Sequence, residues 1–185
     1  HFMYSAHLDL ACKLQKLRIY VGATIDGDAR LCTSLAVILN KLPITIFTYI
    51  YLPFVLAYGL PDQLITDKGR EWLVAAFVQH HVALLANGGQ VLGRAAHRFT
   101  TSTRNTRVER FNYEINVRVL IPVRLFANYL IASTLLDEDN EEHVNAFGNM
   151  MQPLMQVGLD LLRNAWNHVR PPARSARFAP RLPHS

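Results

Sequence analysis

The chain has 185 residues, half of them apolar, with nine glycines and nine prolines, which suits one globular domain with a sizeable core and excludes collagen-like, low-complexity and disordered classes. Cys12 and Cys32 stand alone, in no CxxC pair and near no His-x-x-x-His spacing, so neither a disulfide framework nor a zinc site is indicated and a reducing, intracellular setting is expected. The net charge of +5 hides an alternation: seven Lys/Arg against six Asp/Glu over residues 1–93 (+1), seven Arg against two Glu over 94–124 (+5), Arg163 against six acids over 125–168 (−5), and four Arg with no acid over 169–185 (+4). A basic band and a basic tail are what a polyanion would use; the plain alternative is a solvated surface. The chain starts at His1, without the basic stretch and apolar core of a secretion signal, and reads as a piece of a longer product.

In chain order, the first forty residues read as three strands: His7 to Leu10, Leu17 to Ile25, and Leu31 to Leu39, all rich in β-branched and apolar residues. Asp26-Gly27-Asp28 is the turn between the second and third, which makes the trio an antiparallel meander. In this position Asp26 is expected to fix the turn rather than to bind metal.

An uncharged stretch, Leu42 to Pro61, is long enough to cross a bilayer. Its Thr45, Thr48, Tyr49, Tyr51 and Tyr58, the central Pro53 and the close brackets Lys41 and Asp62 favour a helix from about Pro43 buried on a sheet. Gln63 to Thr66 reads as a short buried strand, Asp67-Lys68-Gly69 as the turn out of it, and Arg70 to Leu85 as a second helix. Asn87-Gly88-Gly89 breaks the chain before a short strand or irregular stretch to about Phe99.

From Arg104 the pattern is helical, with Val108, Phe111, Ile115 and Val119 as one buried stripe and Glu109 beside it. That helix is expected to end or kink near Pro122. After Asp137 a long helix is expected to bury Val144, Phe147, Met151, Leu154, Gly158, Leu161 and Ala165, interrupted by Pro153. The acids Asp137 to Glu142 at its start are expected to serve as a capped helix end.

This order predicts an α/β ribonuclease H-like fold, a mixed sheet of three antiparallel strands extended by parallel ones with helices packed on it. The expected organisation is a core over 1–135, a C-terminal helical extension over 136–168 packed on that core, and an Arg/Pro-rich tail over 169–185. Such a sheet would bring three carboxylates together: Asp9 within the first strand, Asp67 at the end of the fourth, and Glu109 on a helix packed nearby. Three hard oxygen ligands and no thiolate suit a pair of Mg²⁺ or Mn²⁺ ions, which stabilise the attacking and leaving oxygens of a phosphodiester displacement.

The local motifs carry a resemblance. Asn105-Thr106-Arg107-Val108-Glu109-Arg110-Phe111-Asn112 resembles the third-carboxylate helix of retroviral-type integrases and related transposases, with its N-x-R-[IV]-E pattern. Gly59-Leu60-Pro61 followed by Ile65-Thr66-Asp67-Lys68-Gly69 resembles the G-x-P…[ST]-D-x-G block around the second carboxylate. His7-Leu8-Asp9 resembles the first-carboxylate strand, and Ile25-Asp26-Gly27-Asp28-Ala29-Arg30 the I-D-x-x-[ST]-R turn. The chain is most similar to eukaryotic integrase-core proteins, whose L-P-R-I-N…W-N-N-H stretch is matched by Gln152-Pro153-Leu154-Met155 and Ala165-Trp166-Asn167-His168.

The resemblance implies a DDE-type integrase or transposase: a polynucleotidyl transferase that cleaves phosphodiesters and transfers DNA strands, with Asp9, Asp67 and Glu109 as catalytic metal ligands and two Mg²⁺ (or Mn²⁺) ions. DNA is the implied partner, with Lys68, Arg70, Arg104, Arg107, Arg110 and Arg118 as candidates for its phosphates. A homo-oligomer, a nuclear location in a eukaryote, no membrane and no small-molecule cofactor complete the expectation. The sequence departs from the family at Asp28-Ala29, at Lys68 to Glu71 and across Ala83 to Thr103, which leaves open a catalytically decayed or domesticated core acting as a nucleic-acid-binding or assembly module. A small membrane protein built around Leu42 to Pro61 is the rival from another class.

Overall fold

A computed structural model describes residues 3–90, 93–100 and 106–168, the side chains of residues 106 and 107 excepted. The basic tail therefore lies outside the described residues. Strands β1 (Ala6–Leu14), β2 (Ile19–Asp26) and β3 (Cys32–Ile38) form the expected antiparallel meander. The second strand starts later than Leu17 because Gln15–Leu17 make a 3-10 turn that closes on Arg18, whose φ of 54° reverses the chain. The helical run α1 (Pro43–Tyr58) leads to β4 (Leu64–Thr66), and β5 (His97–Phe99) follows helix α2 (Leu73–Ala86). Both β4 and β5 add in parallel, giving the order β3-β2-β1-β4-β5. The helical run α3 (residues 106–132) and helix α4 (Glu141–His168) complete the chain. This is the ribonuclease H-like architecture, as expected.

Strand alternation divides the core into two. On one face Ala11, Val21, Ala23, Ile25, Leu35 and Val37 meet Val108, Phe111 and Ile115 of α3 and Phe147, Met151 and Met155 of α4. On the other, Leu8 and Ile38 meet Ile46, Ile50 and Phe54 of α1, with Trp72 and Ala75 beyond. Gly22 makes that second contact possible, since a Cβ there would overlap the Ile50 side chain. The stretch suspected of spanning a membrane is thus a 16-residue helix that buries Ile46, Ile50, Tyr51 and Phe54 on the sheet. A different segment, Val108–Ala132, is long and apolar enough to cross a membrane; its stripe Val108, Phe111, Ile115 and Val119 belongs to the sheet's own core.

Two prolines behave alike, and at one of them the helix, expected to end or kink, does not end. Pro122 does not end its helix: Asn116–Leu120 form a π-helical turn in which Ile121 N–H bonds to the Asn116 carbonyl five residues back, and Ile121–Ala132 continue with Pro122 at the start. In α1 the π turn Phe47–Tyr51 likewise precedes Pro53, with Leu52 N–H bonded to Phe47 O. Widening the turn by one residue relieves the clash between a proline ring and the carbonyl four residues earlier.

Helix α4 runs unbroken through Pro153, which is exposed. Its buried stripe keeps the expected Val144, Phe147 and Met151 and then continues through Met155, Leu159 and Leu162, leaving Leu154 and Leu161 63% and 67% exposed. Contacts with β3 fix that phase. Gln156 accepts a bond from Val37 N–H and donates to Leu35 O, Gln152 donates to Val37 O, and Asn167 pairs with both backbone groups of Cys32. The acidic run is the expected cap, with Asn140 Oδ1 accepting from Glu142 and His143 N–H, while Glu138 and Glu141 pair with Lys16 and Arg18. Asp26, fully buried, holds its turn through bonds from Asp28 and Ala29 N–H.

One buried polar link ties α1 to α2 and to the loop before β4: Tyr51 Oη donates to Gln79 Oε1 at 2.9 Å, and Gln79 Nε2 donates to Pro61 O at 2.8 Å. Tyr51→Phe would leave Gln79 Oε1 buried without a donor, so it should lower unfolding stability by about 1–3 kcal/mol. Denaturant unfolding of the two proteins at equal m-value measures this.

Candidate functional site

β1 pairs with β4 at only two positions, Ala6 with Leu64 and His7 with Ile65. Two residues beyond the second pair come Asp9, still within β1, and Asp67, just past β4, so the parallel register sets the two acids at the same level of neighbouring segments. β4 stops at Thr66, and from there, among the described residues, β1 has no partner on this side. Helix α3 lies beside the open edge, and a groove of about 560 Å³ forms between them. Its lining comes from β1 (Asp9 to Lys13), Gln15 and one face of α3: Glu109, Asn112, Tyr113 and Asn116. Those four positions share a face at helical spacing, adjacent to the buried stripe Val108, Phe111 and Ile115.

Each acid has a different setting. Asp9 is half-buried; its Oδ1 accepts from Leu10 N–H at 2.9 Å and its Oδ2 from Asn112 Nδ2 at 2.7 Å. Burial drives its pKa from 3.8 up to about 6, and the negative charges of Asp67 and Glu109 add to the rise against the opposing bonds from Leu10 and Asn112. Asp67 caps its turn: Oδ1 accepts from Gly69 N–H at 3.1 Å and from the buried Trp72 Nε1 at 2.6 Å. Glu109 is exposed in the first turn of α3, where the helix dipole favours an acid, and has no ion-pair or hydrogen-bond partner among the described residues. The three acids therefore lie close enough for Asp9 to feel the other two charges. Among the described residues, however, no three His, Cys, Asp or Glu side chains are gathered closely enough to hold one ion together.

The basic candidates are scattered. Lys68 and Arg70 are exposed beside Asp67, and Arg110 is exposed on α3 but does not line the groove. Arg118 is engaged with Glu114 in an exposed pair at 2.8 Å. Arg104 and the Arg107 side chain lie outside the described residues. Lys13, which the sequence reading passed over, does line the groove. So do Asn112, Tyr113 and Asn116, which the spacing from Glu109 by three, four and seven could have found. The partnership of Trp72 with Asp67 carried no signal beyond a short separation.

Two amide oxygens complete the groove. Three buried side-chain polar atoms lack a hydrogen-bond partner among the described residues, and two of them, Asn112 Oδ1 and Asn116 Oδ1, belong to groove residues. An unpaired buried acceptor costs about 1–3 kcal/mol, so this wall is built at the expense of stability. Cys12 lines the groove as well, and burial pushes its thiol up, away from the thiolate form a nucleophile needs. His97 and His80 line a second cavity of about 330 Å³ between α2 and the approach to β5. There His97 Nε2 is engaged by Thr66 Oγ1 at 3.0 Å, and burial lowers its pKa.

The raised pKa of Asp9 has a definite sign for stability. Between 3.8 and about 6 the folded chain holds a proton that the unfolded chain releases. Stability of the metal-free protein therefore falls as pH rises through that window. Asp9→Asn removes the buried charge and should raise stability above the window by on the order of 1–3 kcal/mol, with the difference vanishing towards its acid end. Melting temperatures of both proteins in chelator across the window test this, and an Asp9→Asn protein less stable at neutral pH would refute it.

Comparison with known proteins places these features in a family. A model described as an integrase core domain matches residues 4–177. No curated protein matches the sequence. Among solved structures, the HTLV-2 integrase catalytic core domain in complex with magnesium (trimeric form) is similar at 16% identity and a TM-score of 0.44, over 78% of this chain and 81% of that one. With its family model spanning nearly the whole length, this chain belongs to the integrase core domain family.

Proposed function

We propose that this chain is a metal-dependent polynucleotidyl transferase of the integrase/transposase type, with DNA as substrate and Asp9, Asp67 and Glu109 as the ligands of Mg²⁺ or Mn²⁺. The observation that carries the proposal is that Asp9 and Glu109, from separate elements, line one groove, with Asp67 near enough for its charge to join that of Glu109 in adding to the rise that burial gives the Asp9 pKa, to about 6. Uncompensated negative charge of this kind is what a divalent cation relieves, and carboxylate oxygens are the donors that hard cations prefer. Bound there, such ions supply Lewis-acid stabilisation of the attacking and leaving oxygens of a phosphodiester.

The chain's own groups have separate tasks. Asn112 orients Asp9 through Oδ2, while Trp72 and Gly69 fix Asp67 through Oδ1. Glu109, exposed and without an ion-pair partner among the described residues, is free to turn towards the other two. Lys68 and Arg70 flank Asp67 as phosphate contacts, which position DNA without reading its sequence.

A second reading has one observation in its favour: the three acids are not gathered as a ready three-ligand group. On that reading the core is a decayed or domesticated one that binds nucleic acid or supports an assembly. Nicking of supercoiled DNA in Mg²⁺ or Mn²⁺ separates the two. Asp67→Asn keeps an oxygen for Trp72 and Gly69 and should retain the fold while reducing nicking by at least about a hundredfold, the scale of losing several kcal/mol of transition-state stabilisation. Equal activity of the two proteins, or none in either, favours the binding module.

A further inference from the structure

None of the residues of β5 lines the groove, yet the first of them is tied to Asp67. β5 runs parallel to β4 with His97 opposite Leu64 and Phe99 opposite Thr66. Residues two apart on a strand share a face, so His97 and Thr66 are diagonal neighbours on one side of the sheet. His97 Nε2 lies 3.0 Å from Thr66 Oγ1, and the same hydroxyl lies 2.9 Å from the carbonyl oxygen of Asp67. A threonine hydroxyl carries a single hydrogen, and a carbonyl can only accept. That hydrogen therefore goes to Asp67 O, Oγ1 accepts in turn from His97, and the imidazole proton sits on Nε2. The result is a directed chain, His97 to Thr66 to Asp67, which ends on the first backbone carbonyl beyond β4.

The links of this chain are held in place. Thr66 is fully buried, and its carbonyl accepts from Thr100 N–H at 2.8 Å. Phe99 meets the His97 ring edge-on, with centroids 4.5 Å apart. The chain also lies behind the groove. Leu64, like Leu8, packs in the core under α1, whereas Asp9, next after Leu8, projects to the other side of the sheet. His97 is thus placed to act on the site only through Thr66.

Asp67 is consequently gripped twice. Gly69 N–H and Trp72 Nε1 set its carboxylate relative to its own turn, while the Thr66 hydroxyl sets that turn relative to the sheet. Since β1 and β4 pair at only two positions, the level of Asp67 against Asp9 depends on this second grip. We propose that His97 is a positioning residue for Asp67: by holding the Thr66 hydroxyl on the Asp67 carbonyl, it fixes the point from which that carboxylate meets a divalent cation. The proposal rests on the reading of Asp67 as a metal ligand and deepens it, naming a residue remote from the cation that governs its affinity. A polar pair that merely stabilised the sheet would lower stability when broken and leave metal affinity unchanged.

The readout is therefore Mn²⁺ binding to the full chain, measured by calorimetry. His97→Leu removes the donor and should weaken binding about tenfold, the scale of losing a group that orients a metal ligand. His97→Gln, whose amide nitrogen can take the place of Nε2, should recover most of the loss. Thr66→Val removes the hydroxyl and should weaken binding by the same factor as His97→Leu. The two substitutions together should cost no more than either alone, because they cut one chain twice. A test on the unchanged chain needs no variant to fold: nitrogen–proton correlation NMR of the His97 ring, which burial keeps neutral by lowering its pKa, should show the proton on Nε2.

A proton on Nδ1 overturns the proposal. So does a folded His97→Leu protein that binds Mn²⁺ as tightly as the unchanged chain, a glutamine variant as weak as the leucine one, or additive losses in the double variant. If the unchanged chain binds Mn²⁺ and every variant matches it, the positioning role alone fails. If the unchanged chain binds no Mn²⁺, the metal-ligand reading fails and this one with it.

Discussion

The pairing of β1 with β4 over two register positions is the constraint on which the site depends. β1 is the central strand, bonded to β2 along most of its length, yet its other edge is occupied only at Ala6 and His7. Longer pairing would close the space in which the groove now lies; no pairing would leave Asp67 on a loop with nothing to aim it at Asp9. A short parallel contact does both things at once: it sets Asp9, within β1, level with Asp67, just past the end of β4, and then releases the edge. Asp9 is half-buried, and α3 covers it from the side.

The opposite end of the sheet is handled in the opposite way. β3 is an edge strand whose outward backbone groups would be a template for another chain. Helix α4 covers them with amide side chains: Gln152 and Gln156 at Leu35 and Val37, Asn167 at Cys32, and Trp166 Nε1 at Arg30 O. The two blocks Gln152 to Met155 and Ala165 to His168, which carried part of the family resemblance, therefore have a structural task far from the carboxylates. A match in those blocks speaks for the fold and is silent on activity.

This difference explains what could be read in the sequence. The strand alternation of residues 6–38, the Asp26 turn and the stripe Val108, Phe111, Ile115 and Val119 were legible because burial on a sheet imposes a period of two or of about three and a half. Of the two outcomes expected at Pro122, an end or a kink, the helix does not end there, and the π turn over Asn116–Leu120 that lets it continue leaves no mark in local composition. The phase of α4 was misread after Met151 because Leu154 and Met155 are equally apolar, and only the amide bonds of Gln152 and Gln156 to β3 decide which one faces the core. At the site, order and motifs name Asp9, Asp67 and Glu109, and the structure brings Asp9 within reach of the other two charges without gathering three ligands among the described residues. The groove beyond them was not legible, because Lys13, Tyr113 and Asn116 look like ordinary surface residues until the edge of β1 is seen to be open.

Unsatisfied groups are unevenly distributed over the fold. Elsewhere among the described residues buried polar side chains are paired, Thr24 Oγ1 excepted: Asp26 holds a turn and Met3 N–H, Gln79 joins Tyr51 to Pro61, and Gln63 binds Ala95 O and Arg94. Around β1 and α3, among the described residues, Asp9 has a pKa raised to about 6, Glu109 has no cation, and Asn112 Oδ1 and Asn116 Oδ1 have no donor. A buried acceptor without a donor and a half-buried carboxylate beside two other negative charges are local conflicts that cost stability, whereas Glu109, exposed at a helix N-terminus, is not one.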